Sequence, residues 1–371
     1  MNPTFTIGRI AGIRISLNWS WLIIFALIVW SLYASIFPAQ DPGLSHPTYL
    51  VMSVIAALIF FVSILLHELG HSIVARRNGM KIEGITLWLF GGVSQFSARF
   101  KSPGSEFRIG IAGPVVSLVL GAIFIGLAVV TSFPTPVDGT LAWLGYINVL
   151  LLVFNMLPAL PLDGGRVFRS MLWKAKGDFA WATKIAAGVG RGFGYLMIAG
   201  GVLLFIAYRS SSGIWLALIG WFVLSAAGGE VSYLKTSAAL EGLHVRDLMT
   251  RDPVTAPAGE TLGEFVDSPA GRTNHSTYPV LSGGDLLGLL PFRAIARHPR
   301  SDWDGRLVRD SMLPPDQVPV LDTEDSAEDA LNELVGGEIH RGFVVQDGGL
   351  VGFISISDIG RVLSQRSAFR N

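Results

Sequence analysis

The chain has 371 residues, of which 50% are hydrophobic and 15% are charged, and its mean hydropathy is +0.50. A soluble protein of this length carries about a quarter charged residues, so the composition indicates a membrane protein. The formal net charge of zero gives no electrostatic basis for binding nucleic acid. The lack of cysteine excludes disulfides and thiolate metal sites. Apolar residues are concentrated before about Tyr233, whereas Glu241 to Asn371 has the composition of a soluble domain.

Six apolar segments are long enough to cross a bilayer, which takes about 20 residues in a helix. No basic segment followed by a short apolar core and a cleavage site precedes them, so we expect no cleavable signal peptide. Lys and Arg are enriched in the connections after the second and fourth segments. The positive-inside rule therefore places both termini and the C-terminal domain in the cytoplasm. The predicted spans are Trp19 to Phe37, Thr48 to Ala75, Phe107 to Thr131, Leu141 to Leu157, Lys184 to Tyr208 and Ile214 to Tyr233.

Two other segments have the composition of β-strands. Residues Ile7 to Ser16 alternate between apolar and polar side chains, and Gly84 to Phe96 is β-type around Gly91-Gly92. Glycines inside a strand are typical of a bulge or of a close approach by another group. We expect small sheet elements at the cytoplasmic rim that partly enter the membrane.

The second apolar segment contains the sequence HELGH, in which His67, Glu68 and His71 form an HExxH pattern. Residues four apart lie on one face of a helix, so both imidazoles can bind one metal ion, with Glu68 placed to take a proton from water. Zinc accepts imidazole and carboxylate ligands, and catalytic zinc normally has three protein ligands. The best candidate for the third is Asp163, which follows the proline-interrupted end of the fourth span and precedes two glycines.

An HExxH pattern on a soluble helix is often a surface coincidence. Within a membrane span such a pattern is energetically unfavourable, because inserting each acidic side chain costs roughly 2.5 to 3.5 kcal/mol on insertion scales. A chance occurrence is therefore less expected there. A divalent cation would compensate the carboxylates of Glu68 and Asp163. The position of the pattern therefore favours metal binding.

Three motifs of the membrane half, roughly residues 1–235, resemble those of the site-2 protease family of intramembrane zinc metalloproteases. They are HELGH, the sequence GIAGP that opens the third span, and Asn155-Met-Leu-Pro followed by Leu-Asp-Gly. The resemblance implies that His67, His71 and Asp163 bind one zinc ion per chain and that Glu68 is the general base. It also implies that Asn155 helps to hold the substrate or the developing oxyanion.

Two features of this half have both a structural and a functional interpretation. Small residues such as Gly110 and Pro114 let helices approach closely, and we expect them to pack the third span against the HExxH helix. The segment Gly84 to Phe96 is either an edge strand that pairs with an extended substrate or a plain structural hairpin.

The C-terminal part contains an internal repeat, in which Val245-Arg-Asp-Leu-Met249 recurs as Val308-Arg-Asp-Ser-Met312. Each copy predicts the order strand, helix, strand, strand, helix. This pattern resembles a tandem pair of CBS domains, with repeats at residues 243–300 and 305–366. Such pairs typically bind ligands that contain adenosine and often dimerise, so the resemblance implies a homodimer joined through these modules.

In the CBS family, a Ser or Thr followed three residues later by Asp contacts the ribose. The second repeat has Ser355 and Asp358 at this place, whereas the first has Pro291 and Ala294. The resemblance implies binding of ATP, ADP or AMP at Ser355 and Asp358. A helix N-cap is an equally good role for Asp358.

The predicted fold is a multi-pass α-helical membrane protein with about six transmembrane helices and small β-elements at the rim, followed by a cytoplasmic α/β tandem CBS module. The predicted function is zinc-dependent endoproteolysis, within the lipid bilayer, of single-pass membrane proteins, tuned by an adenine nucleotide. The alternative is a CBS-gated transporter or channel with a structural metal site, which needs polar residues along several spans. Polar residues instead concentrate around His67 to His71 and Asp163, and the complete set of four also disfavours a catalytically silent relative.

Overall fold

The structure is a computed structural model with two compact units, residues 1–234 and 235–371. It describes residues 4–80, 82–88, 91–96, 100–130, 133–210, 212–273, 275–337 and 339–368.

Among the residues described, six helical segments are long and apolar enough to cross a membrane. The first is composite, with α1 (Ser20–Ser31) and α2 (Phe37–Gln40) joined by a π-helical turn, Leu32–Ile36. The other five are α3 (His46–Arg77), α4 (Pro103–Val130), α5 (Thr135–Asn155), α7 (Phe179–Tyr208) and α8 (Ser212–Leu240). A short helix, α6 (Asp163–Lys176), follows α5. The predicted number of spans is confirmed.

Helix α3 is the central element of the N-terminal unit, because it packs against α1, α4, α5 and part of a sheet. Its start is capped by Ser45, whose side chain accepts a hydrogen bond from the backbone N–H of Thr48. Its last turn carries Arg76 and Arg77, which complement the negative end of the helix dipole. The 32 residues of α3 span about 48 Å, more than a bilayer core requires.

A four-stranded sheet lies beside the part of α3 that carries the HExxH pattern. Ile13, Ile15, Ile85 and Leu87 of the sheet form a buried cluster with Leu69 of α3. The sheet has the order β1-β2-β3-β4, in which β2 and β3 are parallel and the other pairs antiparallel. Its strands are β1 (Thr4–Ile10), β2 (Ile13–Asn18), β3 (Ile82–Trp88) and β4 (Gly91–Phe96).

The predicted strand segment Ile7 to Ser16 is therefore a hairpin. It turns at Ala11 and Gly12, whose φ angles are 51° and 77°. The register irregularity of the β3–β4 pair lies between Ile82 and Gly84, and of the two glycines Gly91 and Gly92 only Gly92 is closely approached by another group.

Glycines determine how closely the helices approach. A Cβ at Gly70 of α3 would lie 3.1 Å from the carbonyl oxygen of Ala112, so α3 and α4 meet there almost backbone to backbone. Gly110 instead faces α6, where a Cβ would lie 3.2 Å from Val167. The prediction that Gly110 packs against the HExxH helix is therefore wrong, because the face of α4 that carries Gly110 is turned towards α6.

The C-terminal unit contains two repeats, each with the predicted order strand, helix, strand, strand, helix. They are preceded by α9 (Val245–Leu248) and β5 (Thr250–Arg251). The first comprises β6 (Ala256–Pro257), α10 (Leu262–Asp267), β7 (Thr277–Ser282), β8 (Asp285–Pro291) and α11 (Phe292–Ile295). The second comprises β9 (Val320–Asp322), α12 (Ala327–Gly336), β10 (Arg341–Gln346), β11 (Gly349–Ser355) and α13 (Ile356–Ala368).

The two copies of the Val-Arg-Asp motif each pack on the opposite repeat. Val245 and Leu248 belong to the core of the second repeat, and β5 extends its sheet in the order β5-β11-β10-β9. Val308 belongs to the core of the first repeat, with Met312 packed against it. This exchange joins the repeats into one unit, since each core is completed by a segment that precedes the other repeat.

Candidate metal and active site

His67 and His71 lie one turn apart on α3, and their side chains are buried, with exposures of 4% and 3%. Their Nε2 atoms are 3.2 Å apart. The helical spacing thus brings two potential ligand atoms to one point, as the sequence predicts.

Asp163 supplies a carboxylate at the same point. Its Oδ2 lies 3.1 Å from Nε2 of each histidine, and its exposure is 9%. Asp163 begins α6, and the two glycines that follow it make the tight entry possible. A Cβ at Gly164 would overlap the backbone of Met156, and one at Gly165 would overlap that of Leu160. Glycine is therefore required at both positions for this turn.

The remaining imidazole nitrogens face α4. Nδ1 of His71 donates a hydrogen bond of 2.6 Å to the backbone oxygen of Ile109, and Nδ1 of His67 lies 2.8 Å from Oγ of Ser117. A proton on Nδ1 leaves Nε2 as the atom with the lone pair that can bind a metal. Both rings therefore present Nε2 to the same space.

These three residues fit a zinc ion. In a tetrahedral zinc site with bond lengths of about 2.0 to 2.1 Å, nitrogen and oxygen ligand atoms lie about 3.3 Å from one another. The distances of 3.1 to 3.2 Å observed between the three ligand atoms are close to this value. A Cβ built on Gly113 of α4 would overlap Nε2 of both histidines. The lack of a side chain at Gly113 thus leaves the space in which the ligand atoms converge.

Glu68 is also a residue of α3, and its side chain lies beside the three ligand atoms and against β4. A Cβ at Gly92 of β4 would lie 3.0 Å from Cδ of Glu68 and 3.2 Å from its Oε1. The side chain of Glu68 is half-buried. Its carboxylate is therefore held against a strand at the edge of the sheet, since β4 is the last strand in the order.

Asn155 is the last residue of α5 and is half-buried. It precedes Asp163 by eight residues, at the start of the connection that leads into α6. The histidines and Asp163 are brought into mutual contact, whereas Asn155 is placed only at this helix end.

Comparisons with known proteins identify the family of this chain. The sequence profile of Peptidase family M50 matches residues 55–139 and 131–199, and that of the CBS domain matches residues 245–301 and 308–365. Rip3 from Mycobacterium tuberculosis H37Rv is 36% identical over 98% of this chain and 93% of its own length. Zinc metalloprotease MJ0392 from Methanocaldococcus jannaschii is 32% identical over 98% of this chain and 97% of its own length. The chain belongs to peptidase family M50.

A solved structure, the Site-2 Protease from Methanocaldococcus jannaschii, is 32% identical to this M50 protease and covers 62% of this chain and 95% of that chain, with a TM-score of 0.44. The family model and the full-length relatives make the protein an M50 zinc metalloprotease with CBS domains, and its apolar helices make it an integral membrane protein in a lipid bilayer. The predicted family, fold class and class of enzyme are confirmed. The family does not support the transporter alternative.

The protease has a second buried charged cluster, which sequence reasoning missed. Arg169 of α6 lies 2.6 Å from Glu106 of α4 and 2.8 Å from Glu230 of α8. Its guanidinium carbon also lies 4.9 Å from the ring centroid of Phe179. The expectation that buried polar groups concentrate around the zinc ligands is therefore wrong. The signal was the presence of Glu106 and Glu230 within or next to apolar spans.

Three further residues of the metal site also escaped prediction. Gly113 was part of the GIAGP motif, but its place at the ligand atoms depends on how α4 packs against α3. For Gly92 the sequence predicted a bulge or a close approach, but not that Glu68 is the approaching residue. Nothing in the sequence indicated that Ser117 contacts His67.

The predicted nucleotide-binding pair of the CBS module forms a helix cap. Oδ2 of Asp358 accepts hydrogen bonds from the backbone N–H and the hydroxyl of Ser355, at 3.0 and 2.6 Å. The backbone N–H of Asp358 donates to Oγ of Ser355 at 3.3 Å, and Arg361 donates to Oδ1. Ser355 is therefore the N-cap of α13 and Asp358 is the third residue of a capping box, so Asp358 takes part in the cap without being the N-cap itself. Pro291 occupies the matching place of the first repeat.

Proposed function

We propose that this protease is an intramembrane endopeptidase that hydrolyses peptide bonds in or near the transmembrane segments of single-pass membrane proteins. The observation that carries the proposal is the convergence of His67, His71 and Asp163 beside Glu68, within a unit of six membrane-length helices. A buried set of two imidazoles and a carboxylate suits zinc with one position open for chemistry.

The residues of the chain have distinct roles in the proposed reaction. His67, His71 and Asp163 would hold the zinc ion, which would supply Lewis acidity to water and to the scissile carbonyl. Glu68 takes a proton from the attacking water and returns it to the nitrogen of the leaving amine. Asn155 donates a hydrogen bond to the oxyanion that develops on the carbonyl.

We propose that the substrate binds as an extended strand along β4. A helical segment keeps its peptide bonds within intrahelical hydrogen bonds, so it must unwind before cleavage. A sheet edge replaces those bonds by pairing with the unwound backbone. Support comes from the edge position of β4 and from its contact with Glu68 at Gly92, whereas a structural hairpin requires no such contact.

The test of the catalytic proposal is Glu68→Gln in the full chain. This variant keeps the zinc ligands, so it should retain one zinc per chain but no longer cleave a membrane substrate. Glu241→Gln, an exposed position outside the membrane unit, is the matched control. Uncleaved membrane fragments should accumulate in cells with Glu68→Gln, and quantitative proteomics would identify them. Full activity of Glu68→Gln would contradict the mechanism.

We further propose that both termini and the CBS module are cytoplasmic, that the module binds ATP, ADP or AMP near Ser355 and Asp358, and that it joins two chains. The orientation rests on the excess of Lys and Arg after the second and fourth spans. Binding would raise the unfolding temperature of the full-length protein. A lack of any shift with all three nucleotides would remove the regulatory proposal, and a monomeric mass from light scattering would remove the dimer.

A further inference from the structure

Ser117 of α4 is fully buried and contacts a proposed zinc ligand. Its Oγ lies 2.8 Å from Nδ1 of His67. Because Nε2 of His67 faces the other two ligand atoms, the proton of the neutral ring belongs on Nδ1, and Ser117 accepts it.

The hydrogen bonding of this hydroxyl differs from that of Ser53, a buried serine on α3. Ser53 donates to the carbonyl of Tyr49 at 2.7 Å. Such bonds to the carbonyl four residues earlier are the usual local solution for serine in a helix. The hydrogen bond found for Ser117 is instead directed across the helix interface to the imidazole.

Ser117 also lies on the same face of α4 as two other residues that adjoin the metal site. Ile109, Gly113 and Ser117 are spaced by four residues, so they form one stripe on the helix. Ile109 offers a backbone oxygen to His71, Gly113 leaves room for the ion, and Ser117 offers a hydroxyl to His67.

We infer that Ser117 is a positioning residue, which holds His67 in the tautomer and ring orientation that bind zinc. The inference rests on the proposed ligand role of His67. Hydrogen bonds to the outer nitrogen of a ligating histidine orient the ring, and their removal typically weakens metal binding about 10- to 100-fold. Ser117 itself touches neither the substrate nor the reacting atoms.

The test is the zinc affinity of the full-length Ser117→Ala protein, measured in detergent by competition with a chelator. We expect affinity about 10- to 100-fold below that of the wild type. Ser53→Ala, which also removes one buried hydroxyl, should leave the affinity unchanged. The absorption spectrum at saturating Co²⁺ supplies a second measurement, because it reports the coordination geometry of protein that is fully loaded. Only Ser117→Ala should alter this spectrum.

The outcomes separate this inference from the proposed function. A wild-type protein without stoichiometric zinc would overturn both. Wild-type zinc binding, with equal affinity and an equal Co²⁺ spectrum in Ser117→Ala, would overturn the role of Ser117 alone. An equal loss of affinity in Ser53→Ala would also overturn it, because the effect would then be general loosening of the helices.

Discussion

Two charged clusters are buried in the N-terminal unit, and they differ in how their charges are compensated. The cluster of Glu106, Arg169 and Glu230 contains its own cation, and its guanidinium hydrogen bonds directly to both carboxylates. The cluster of His67, His71 and Asp163 instead directs lone pairs to one point, where Gly113 leaves space.

This difference shows that burial of charge does not by itself identify a reactive site. The guanidinium of Arg169 bonds to carboxylates on two other helices and so ties α4, α6 and α8 together, which is a structural role. The histidine cluster presents acceptors around a space, which makes it a site for a cation. The identity of the central group, and not the depth of burial, separates the two.

The largest expected effect comes from filling the space in the histidine cluster. In Gly113→Ala, the added methyl group would occupy the position of the ion, and the protein should lose its stoichiometric zinc. Elemental analysis of the purified protein measures this. Gly126→Ala in the same helix is the control, since nothing lies within 4 Å of a Cβ there. One zinc per chain in Gly113→Ala would show that the ligand atoms do not share this space.

The next effect concerns the arginine cluster. Arg169→Met would leave two carboxylates without their cation, and removal of one partner from a buried ion pair costs about 3 to 5 kcal/mol. Chemical unfolding in detergent measures the loss of stability. Arg300→Met, which breaks an exposed ion pair with Asp267, should cost about 1 kcal/mol or less. Equal costs for both variants would mean that the buried cluster is not a structural tie.

A smaller effect, on the rate of catalysis, is expected from a change at the contact between Glu68 and strand β4. Gly92→Ala would displace Glu68 from its place against β4 without touching the zinc ligands. A misplacement of about 1 Å can lower the rate about 100-fold, so kcat should fall by that order while the zinc content stays the same. Gly8→Ala in β1, where a Cβ meets nothing within 4 Å, is the control. Unchanged kcat in Gly92→Ala would argue against the proposed position of the general base.

The smallest effect concerns two neighbouring carboxylates, Asp41 and Asp138. Burial, and secondly the neighbouring Asp138, raise the pKa of Asp41 above its ordinary value of 3.8. The folded state therefore binds this proton more tightly than the unfolded state, and its stability falls as the pH rises through the raised pKa.

Asp41→Asn mimics the protonated form, so it should raise the unfolding temperature at pH 7. The gain should disappear as the pH falls below 3.8, where the carboxyl is protonated in both states. Asp285→Asn at an exposed position is the control. A gain that is independent of pH would exclude the carboxylate pair as its cause.

Local sequence signals were sufficient for several parts of this protein. Hydropathy predicted the six spans, because a membrane helix needs a continuous apolar segment whatever it packs against. The spacing of His67 and His71 predicted a shared ligand point, because helix geometry alone places them on one face. The repeated Val-Arg-Asp motif predicted a two-unit C-terminal domain, although not that each motif packs on the opposite repeat.

The sequence by itself determined the spans, the two histidines with Glu68, and the tandem repeat, since each depends on residues close together in the chain. Only the tertiary structure decided which face of α4 meets the histidines, how Arg169 joins three helices, and that Gly92 lies against Glu68. These features depend on the approach of segments that are tens of residues apart. That approach is determined by packing summed over many side chains, so no single motif encodes it.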